Sequence, residues 1–366
     1  MINVITGRSG SGKTAEIIRR IQEDTARGIP TLFVVPEQQE FITEQMAAKT
    51  LPPEAFRYFS VTTFSKMATT VFETLGGLTV PNVSYATQVS LLWQTLNDLD
   101  GSLTVFGNRK KNAALLLPLL TTLEDFNRFG VTPEELADAG SRTTVSKPLQ
   151  RKLNDLSLIC ARYSQRLQAF HRGQAHSPLR RAAQALRTSD TRVFSGRRLY
   201  FDSFSYFTAD ETALLREVAR QTDALTVALC MDPKNRDNEI FRDATETLSK
   251  LRQTATDLGQ PFEEIPLSVP AASNAVLAAA EADLWEHRRS VPYPRNDDTV
   301  RLVCAPHPYA ETETAALHIW ELVEKGMRFE DIAVIVRDTN AWSGILDDAF
   351  ERYHIPYFMS EPVPLS

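Results

Sequence analysis

The chain has 366 residues, of which 43% are hydrophobic and 23% are charged, and its formal net charge is −6. This length exceeds that of an average single domain, and the composition is typical of a globular protein with enough apolar residues to form a core. No apolar run reaches the roughly 20 residues of a membrane-spanning helix and no basic leader precedes the first apolar stretch, so we expect a cytoplasmic protein without a membrane partner.

The N-terminal segment alternates apolar strands with a helix. The residue pattern predicts strands at 2–6, 31–35 and 59–63, and a helix at 15–26. Further downstream, two more apolar strands are predicted, at 198–202 and 225–229. Near-continuous apolar strands that alternate with helices are typical of a parallel sheet covered on both faces. The sequence therefore predicts an α/β fold.

The block at about 82–195 differs from its surroundings, because its apolar residues follow helical spacing. Thr132 followed by Pro133 is a typical helix start. The segment 109–198 holds 17 Lys and Arg against 7 Asp and Glu, although the whole chain is acidic. This asymmetry favours a polyanionic partner, and a solvated helical face is the alternative. We interpret the block as a basic helical insertion in the α/β domain.

A second α/β unit is predicted after a linker. Residues 267–298 combine an Ala-rich helix, at 274–287, with a Pro-containing stretch. The alternation of strand and helix then restarts. Its predicted strands lie at 300–304, 331–336 and 355–358, and its predicted helices lie at 310–325 and 347–353. We expect these residues to be the beginning of a larger domain.

The stretch GRSGSGKT follows the first strand directly and matches the phosphate-binding pattern G-x-x-x-x-G-K-[ST] in full. Its glycines allow backbone N–H groups to face phosphate oxygens, its Lys offers a charge to the β- and γ-phosphates, and its Thr hydroxyl suits Mg²⁺. The strand before it and the helix after it are the context that this motif requires. We therefore predict that ATP and Mg²⁺ bind here, through Gly7, Arg8, Ser9, Gly10, Ser11, Gly12, Lys13 and Thr14.

Hydrolysis needs a carboxylate that holds Mg²⁺ and a second group that activates water. Asp202, at the end of a predicted strand, is the candidate for the first role and the only catalytic candidate. Its neighbour Ser203 stands where many helicase-type enzymes carry Glu, and Ser is a poor base. Asp210 and Glu211 open the next helix, where they complement its dipole. The sequence therefore predicts nucleotide binding with little turnover.

Five segments together resemble one family. GRSGSGKT, FVVPEQQEF, SVTTFSKMA, LYFDSFSYFTADE and EDIAVIVRD occur in the order and spacing of AddB. AddB, which is close to RexB, is the second component of the bacterial AddAB helicase–nuclease and is related to RecC and to UvrD-type superfamily 1 helicases. The resemblance implies a RecA-like domain 1A, a 1B-like insertion, a linker and the start of a RecA-like domain 2A. Their bounds would be 1–81 with 196–266, 82–195, 267–298 and 299–366.

The resemblance also implies where DNA and nucleotide are contacted. Phe64 would stack on a base of single-stranded DNA, with core packing as the alternative. Arg337 would approach the γ-phosphate, and an exposed charge at a strand end is the alternative. With two arginines of the basic insertion, the predicted DNA-binding residues are Pro36, Glu37, Gln38, Thr63, Phe64, Ser65, Arg162 and Arg166.

The function that the resemblance implies is the processing of double-strand DNA breaks for recombinational repair. The partners would be single-stranded DNA, double-strand ends and an AddA-type protein that acts as the main motor of a heterodimer. Ser203 and the absence of Gln from CMDPKN depart from active helicases and favour a helicase-like scaffold. The family's nuclease domain and its 4Fe–4S cluster would lie beyond Ser366. The three widely separated cysteines are expected to be buried free thiols instead.

Two other functions are compatible with parts of the sequence. A stand-alone P-loop NTPase, such as a small-molecule kinase, would have a compact domain without a basic insertion of this size. A non-enzymatic DNA-binding scaffold with a vestigial P-loop would bind DNA but no nucleotide. Measurement of nucleotide binding at physiological Mg²⁺ separates this scaffold from the AddB-type interpretation.

Overall fold

The computed structural model describes residues 1–77, 83–107, 113–142, 145–170, 177–233, 239–268, 274–283 and 299–358. The chain divides into two compact units, Met1–Ala272 and Ser273–Ser366. This division falls inside the segment predicted as a linker. Each unit is described by itself.

The first unit is built on a parallel sheet of six strands in the order β3-β2-β4-β5-β1-β6. The predicted parallel α/β fold is thereby confirmed. The strands are β1 (Ile2–Gly7), β2 (Thr31–Val34), β3 (Phe59–Thr62), β4 (Arg198–Phe201), β5 (Ala224–Cys230) and β6 (Phe262–Pro266).

Helices connect the successive strands, and further helices follow β6. In the first unit they are α1 (Lys13–Ala26), α2 (Glu40–Thr50), α3 (Phe64–Leu75), α4 (Tyr85–Asp98), α5 (Ala113–Phe129), α6 (Pro133–Ser141), α7 (Lys147–Phe170), α8 (Pro178–Thr188), α9 (Ala209–Gln221) and α10 (Arg242–Asp257). In the second unit they are α11 (Ala275–Asp283), α12 (Pro308–Glu324), α13 (Thr339–Trp342) and α14 (Leu346–Arg352).

Both faces of the sheet are covered, because successive strand residues point to opposite sides. Val34, Phe201 and Val227 lie in a core with α3, α8, α9 and α10. Phe33 and Tyr200, their neighbours in sequence, lie in a second core with α1 and α2. This two-sided burial explains why the strands are almost continuously apolar.

Helices α4 to α7 form a separate core within the first unit. Their buried side chains include Leu92, Leu120 and Ile159. Asp155 of α7 is 2% exposed and holds the loop after α4. Its carboxylate accepts hydrogen bonds from the amides of Thr104, Val105 and Phe106 at 3.0, 2.7 and 3.1 Å, and from the Thr104 hydroxyl at 3.1 Å. A buried charge is stable here because four donors surround it.

The second unit corrects the prediction of strands at 300–304, 331–336 and 355–358. Within the described part of this unit, these segments form no strand ladder, and Asp331 ends a 3-10 helix, Phe329–Asp331. Leu302, Ile335 and Phe358 are 99%, 91% and 91% exposed. A strand is defined by hydrogen bonds to a neighbouring strand, and the apolar pattern alone does not supply that partner.

The cysteines also differ from the prediction. All three are free thiols, but only Cys160 is buried, whereas Cys230 and Cys304 are exposed. Burial raises the pKa of the Cys160 thiol, because the thiolate would lose its hydration. Within the described ranges, no helix combines the length and apolar composition required to cross a bilayer.

Candidate nucleotide and nucleic-acid site

The carboxyl ends of the parallel strands bring the candidate residues to one edge of the sheet. Strand β4 lies between β2 and β5, and β5 lies beside β1. The loops that follow β1, β2 and β4 therefore meet, and they carry Arg8, Pro36 and Asp202. In open α/β sheets this edge is the usual place for a ligand.

The loop after β1 has the backbone geometry of a phosphate-binding loop. Gly12 has φ of 85°, in the left-handed region that only glycine adopts without strain. Gly7 has another constraint, since a Cβ atom there would lie 2.3 Å from the Ser11 Oγ. These two glycines are therefore required by the conformation of the loop itself.

The amino end of α1 is left open by this loop. Gly12 is its N-cap residue and supplies no side-chain hydrogen bond. By contrast, Thr63, Ser84 and Thr208 accept a backbone N–H at the starts of α3, α4 and α9. The first amides of α1 are thus directed at the space above the loop, with the positive end of the helix dipole behind them. This arrangement suits a phosphate group.

Lys13 completes the positive lining of the loop. Its ammonium group donates to the carbonyl oxygens of Gly7 at 2.9 Å and Arg8 at 2.8 Å. These acceptors hold the long side chain folded over the loop. A phosphate oxygen would offer the ammonium a charged acceptor in their place.

Thr14 and Asp202 meet although 188 residues separate them. The Thr14 hydroxyl donates to the Asp202 Oδ2 at 2.5 Å. Asp202 is 5% exposed, and its Oδ1 accepts the backbone N–H of Ser203 at 2.8 Å. A hydroxyl and a carboxylate at this distance form a suitable oxygen pair for Mg²⁺.

A cavity of about 480 Å³ lies over these groups, lined by residues of the loop, by Asp202 to Ser205 and by Cys230. The open helix end, the ammonium group and the hydroxyl–carboxylate pair all border it. These features fit a nucleoside triphosphate with Mg²⁺, the ligand that the sequence predicts. The eight predicted loop residues and Asp202 are therefore brought to one place.

A second cavity, of about 600 Å³, lies beside the first, and we call it the cleft. It is lined by the residues after β2, by those after β3 and by the loop after β4. The segments FVVPEQQEF and SVTTFSKMA supplied six of the predicted DNA-binding residues. All six border the cleft: Pro36, Glu37, Gln38, Thr63, Phe64 and Ser65. Ser65 and Glu37 are joined by a hydrogen bond of 2.5 Å. The loop from Ser203 to Ser205 borders both cavities.

The burial of Phe64 does not favour the base-stacking role predicted for it, which stays a prediction. Its ring is only 5% exposed and packs on Phe201, Phe204 and Phe207, with centroids 5.6, 5.5 and 5.8 Å away. The core-packing alternative is therefore what the structure shows. Thr63 is 2% exposed and its hydroxyl caps α3 by accepting the amide of Lys66 at 3.3 Å. Helix formation and core packing together remove both side chains from solvent.

The sequence analysis missed a different aromatic pair at the cleft. Tyr206 borders the cleft and is 38% exposed. The ring of Phe129, at the end of α5 and 57% exposed, lies against it with centroids 6.0 Å apart and planes tilted by 30°. Spacing does not distinguish Tyr206 from its buried aromatic neighbours, so the sequence held no signal for this pair.

Arg162 and Arg166 are bound to one carboxylate. Arg162 Nη2 lies 2.8 Å and Arg166 Nη2 2.5 Å from the Asp98 Oδ2 of α4, and Arg166 also donates to Gln94 at 2.8 Å. Arg166, with Arg162, lowers the pKa of Asp98, because both guanidinium groups stabilise the carboxylate. Asp98 thus partly neutralises the two positive charges that these residues would offer to DNA phosphates, and their DNA-binding role stays a prediction.

Other cations of the segment 109–198 are also paired with carboxylates. Arg180 Nε lies 2.7 Å from Asp210, and Arg198 Nη1 lies 2.5 Å from the buried Asp24. Asp24, Asp98 and Asp210 all lie outside the segment 109–198 in sequence. The charge count along the chain therefore overstates the positive charge of this surface. Arg337 lies exposed in the second unit, and its role at the γ-phosphate stays a prediction.

Comparison with known proteins identifies relatives across nearly the whole chain. The model of a family described as "ADDB, N-terminal" matches residues 4–280. A protein of Clostridium botulinum, named as the B subunit of an ATP-dependent helicase/deoxyribonuclease, is 28% identical over 98% of this chain. Proteins of the same name from Clostridium novyi and Bacillus subtilis are 26% and 28% identical over 98% and 97% of it. The chain spans 32% of the length of each of these relatives.

Proposed function

The chain belongs to the AddB N-terminal family, and on that basis we propose that it is a helicase-like module that binds ATP–Mg²⁺ and single-stranded DNA but turns ATP over slowly. The observation that carries the nucleotide part is the contact between Thr14 and Asp202 beneath the open end of α1. This combination supports binding of a phosphate and of a divalent cation at one cavity.

Different residues of the site would bind the phosphates and the Mg²⁺ ion. The loop amides and Lys13 would hold the β- and γ-phosphates, while Thr14 and Asp202 would hold Mg²⁺. Bound Mg²⁺ would supply positive charge that neutralises the phosphate oxygens. The hydrogen bond between Thr14 and Asp202 already positions both oxygens, so little rearrangement is required.

Slow turnover is proposed because the group next to Asp202 is unsuited to activate water. Ser203 has a hydroxyl instead of a carboxylate, and its φ of 67° is in the left-handed region. Its backbone N–H donates to Asp202, which fixes this turn. A hydroxyl cannot accept a proton from water at neutral pH, so Ser203 cannot act as a general base.

For DNA, we propose that the cleft holds single-stranded bases on the pair formed by Tyr206 and Phe129. Unlike Phe64, both residues are exposed, and their rings lie against each other. Among the described residues, no Lys or Arg lines the cleft, so contact with bases and sugars fits it better than contact with phosphates. Stacking contributes about 1–3 kcal/mol per base and tolerates any sequence.

The activity of the whole protein is proposed from its relatives, whose names describe one subunit of an ATP-dependent helicase/deoxyribonuclease. We propose that the full-length protein processes double-strand breaks together with an AddA-type motor protein. Its nuclease domain and 4Fe–4S cluster would lie outside the 366 residues of this chain. The present chain would contribute nucleotide binding and guidance of the single strand.

Replacement of Tyr206 with Ala is expected to weaken the binding of oligo(dT) about tenfold, because one stacking surface is lost. Fluorescence anisotropy with a labelled strand measures this change. Tyr85→Ala is a matched control, since Tyr85 is 57% exposed at the start of α4 and does not border the cleft. Equal losses for both variants would contradict the stacking role.

Phe64→Ala provides the opposite comparison. Because Phe64 is buried, we expect this variant to lose about 3–5 kcal/mol of unfolding free energy. Its DNA affinity should change little at temperatures where it stays folded. A stable Phe64→Ala protein with strongly reduced DNA binding would restore the role that the sequence predicted for this ring.

A further inference from the structure

We propose that the amino-terminal end of α7 is a second nucleic-acid surface, which contacts the phosphate backbone of duplex DNA. It consists of Lys147, Arg151 and Lys152, and we call it the α7 basic end. The proposal rests on the proposed function of the chain as a DNA-binding module. It is independent of the cleft, which none of these residues borders.

These three side chains differ from the other cations of α7 in having no carboxylate partner among the described residues. All three are exposed, whereas Arg162 and Arg166 are held by Asp98. Asp155 is the only acidic residue in the sequence of α7, and its carboxylate is buried under the loop after α4. The exposed surface of this helix therefore carries cations without acidic residues of its own.

The carboxylates of the helices packed on α7 are engaged elsewhere. On α6, Asp138 binds Arg142 at 3.1 Å, and Glu135 accepts the amide of Thr132 at 2.9 Å in a capping box. Glu134 lies near Cys160, which is more than three helical turns from Lys147. On α4, Asp98 is bound by the two arginines. None of these groups neutralises the α7 basic end.

Cations at the amino-terminal end of α7 do not stabilise the helix. The amino end of a helix is the positive end of its dipole, where Lys and Arg are unfavourable by a few tenths of a kcal/mol each. Lys147 lies in the first turn of α7, where this effect acts, and Arg151 and Lys152 follow in the second turn. An external anion at this place would compensate for the unfavourable charge of Lys147.

The spacing and charge of the α7 basic end suit the phosphate backbone of duplex DNA. Lys147 and Arg151 are one turn apart, about 6 Å, while a DNA strand carries one phosphate per roughly 3.4 Å of axis. Flexible cations on an exposed helix can therefore contact successive phosphates. The α7 basic end includes no aromatic ring that could stack on unpaired bases, so a duplex fits it better than a single strand.

The test compares two variants of the 366-residue chain that lose the same charge. Lys147→Gln/Arg151→Gln/Lys152→Gln removes the α7 basic end, and Arg187→Gln/Arg192→Gln/Arg197→Gln removes three other cations of the basic segment that lie outside α7. Binding to a blunt duplex of about 20 base pairs and to oligo(dT) is measured between about 50 and 200 mM salt, with circular dichroism as the folding control. A single Lys152→Glu change provides a milder second variant.

We expect the α7 variant to lose about tenfold or more of its duplex affinity at low salt, and its salt slope to fall by about 2–3 because up to three phosphate contacts disappear. Lys152→Glu should show a smaller loss in the same direction. Oligo(dT) binding through the cleft should be retained, so the proposed function and this proposal can fail separately. Unchanged duplex binding, or an equal loss in the control variant, would overturn the proposal.

Discussion

Replacement of Lys13 with Ala is expected to weaken the binding of ATP–Mg²⁺ about a hundredfold, which equals about 2.7 kcal/mol. The Lys13 ammonium lies over the loop, where it donates to Gly7 and Arg8, and ATP would provide stronger, charged acceptors. Calorimetry with ATP at physiological Mg²⁺ measures the effect. The fold should be unchanged, because Lys13 packs on its own loop.

Lys49→Ala is the control for the loss of one positive charge. Lys49 is exposed in the last turn of α2 and does not line the cavity over the loop after β1. Its removal should leave ATP affinity within a factor of about two. ATP binding by Lys13→Ala at the wild-type level would show that the loop after β1 is not the nucleotide site.

Replacement of Asp155 with Ala is expected to lower the free energy of unfolding by about 3–5 kcal/mol. Asp155 is 2% exposed and its carboxylate accepts four hydrogen bonds from the loop after α4. Without it, three backbone N–H groups lose their acceptor, and each unpaired group costs about 1–3 kcal/mol where it is buried. Urea denaturation followed by circular dichroism measures the change.

Asp155→Asn keeps the shape of the side chain but replaces one acceptor oxygen with an N–H donor. Asp155→Asn should therefore lose less unfolding free energy than Asp155→Ala. Asp190→Ala is the control: it alters an exposed aspartate and should change the unfolding free energy by no more than about 0.5 kcal/mol. The loss for Asp155→Asn should clearly exceed this value. If Asp155→Asn were as stable as the wild type, the charge would not be what holds this loop.

The sheet and the loop after β1 were predictable because their signals are local. Four of the five predicted strands of the first unit are mainly apolar runs, the fifth (59–63) is rich in β-branched residues, and the loop motif is read from consecutive letters. Strand β6 was missed because FEEIP contains two Glu and a Pro. It lies at the edge of the sheet beside β1, where polar side chains and Pro are tolerated.

The candidate nucleic-acid residues were less predictable, since the exposure of a side chain depends on tertiary packing. Phe64 and Tyr206 are both aromatic residues in family-like motifs, yet one is 5% and the other 38% exposed. Their difference arises from a cluster of rings contributed by α3 and by β4 with the loop after it. The spacing of the aromatic residues in the sequence does not predict which ring is exposed to solvent.

Charge was also misjudged from sequence, because carboxylates outside the segment 109–198 pair with its arginines. Arg162 and Arg166 share Asp98, and Arg198 binds Asp24. A count within one segment cannot include these partners. In the second unit, apolar runs predicted strands that lack pairing in the described residues, since a ladder requires a neighbour.

The measurement that tests the central claim most directly is the parallel determination of ATP binding and ATP turnover on one preparation, with and without oligo(dT). Saturable, Lys13-dependent binding is predicted, with turnover far below about 1 s⁻¹, the lower end of common enzyme rates, even when DNA is present. Rapid DNA-stimulated hydrolysis that disappears in Lys13→Ala would contradict the proposed slow turnover.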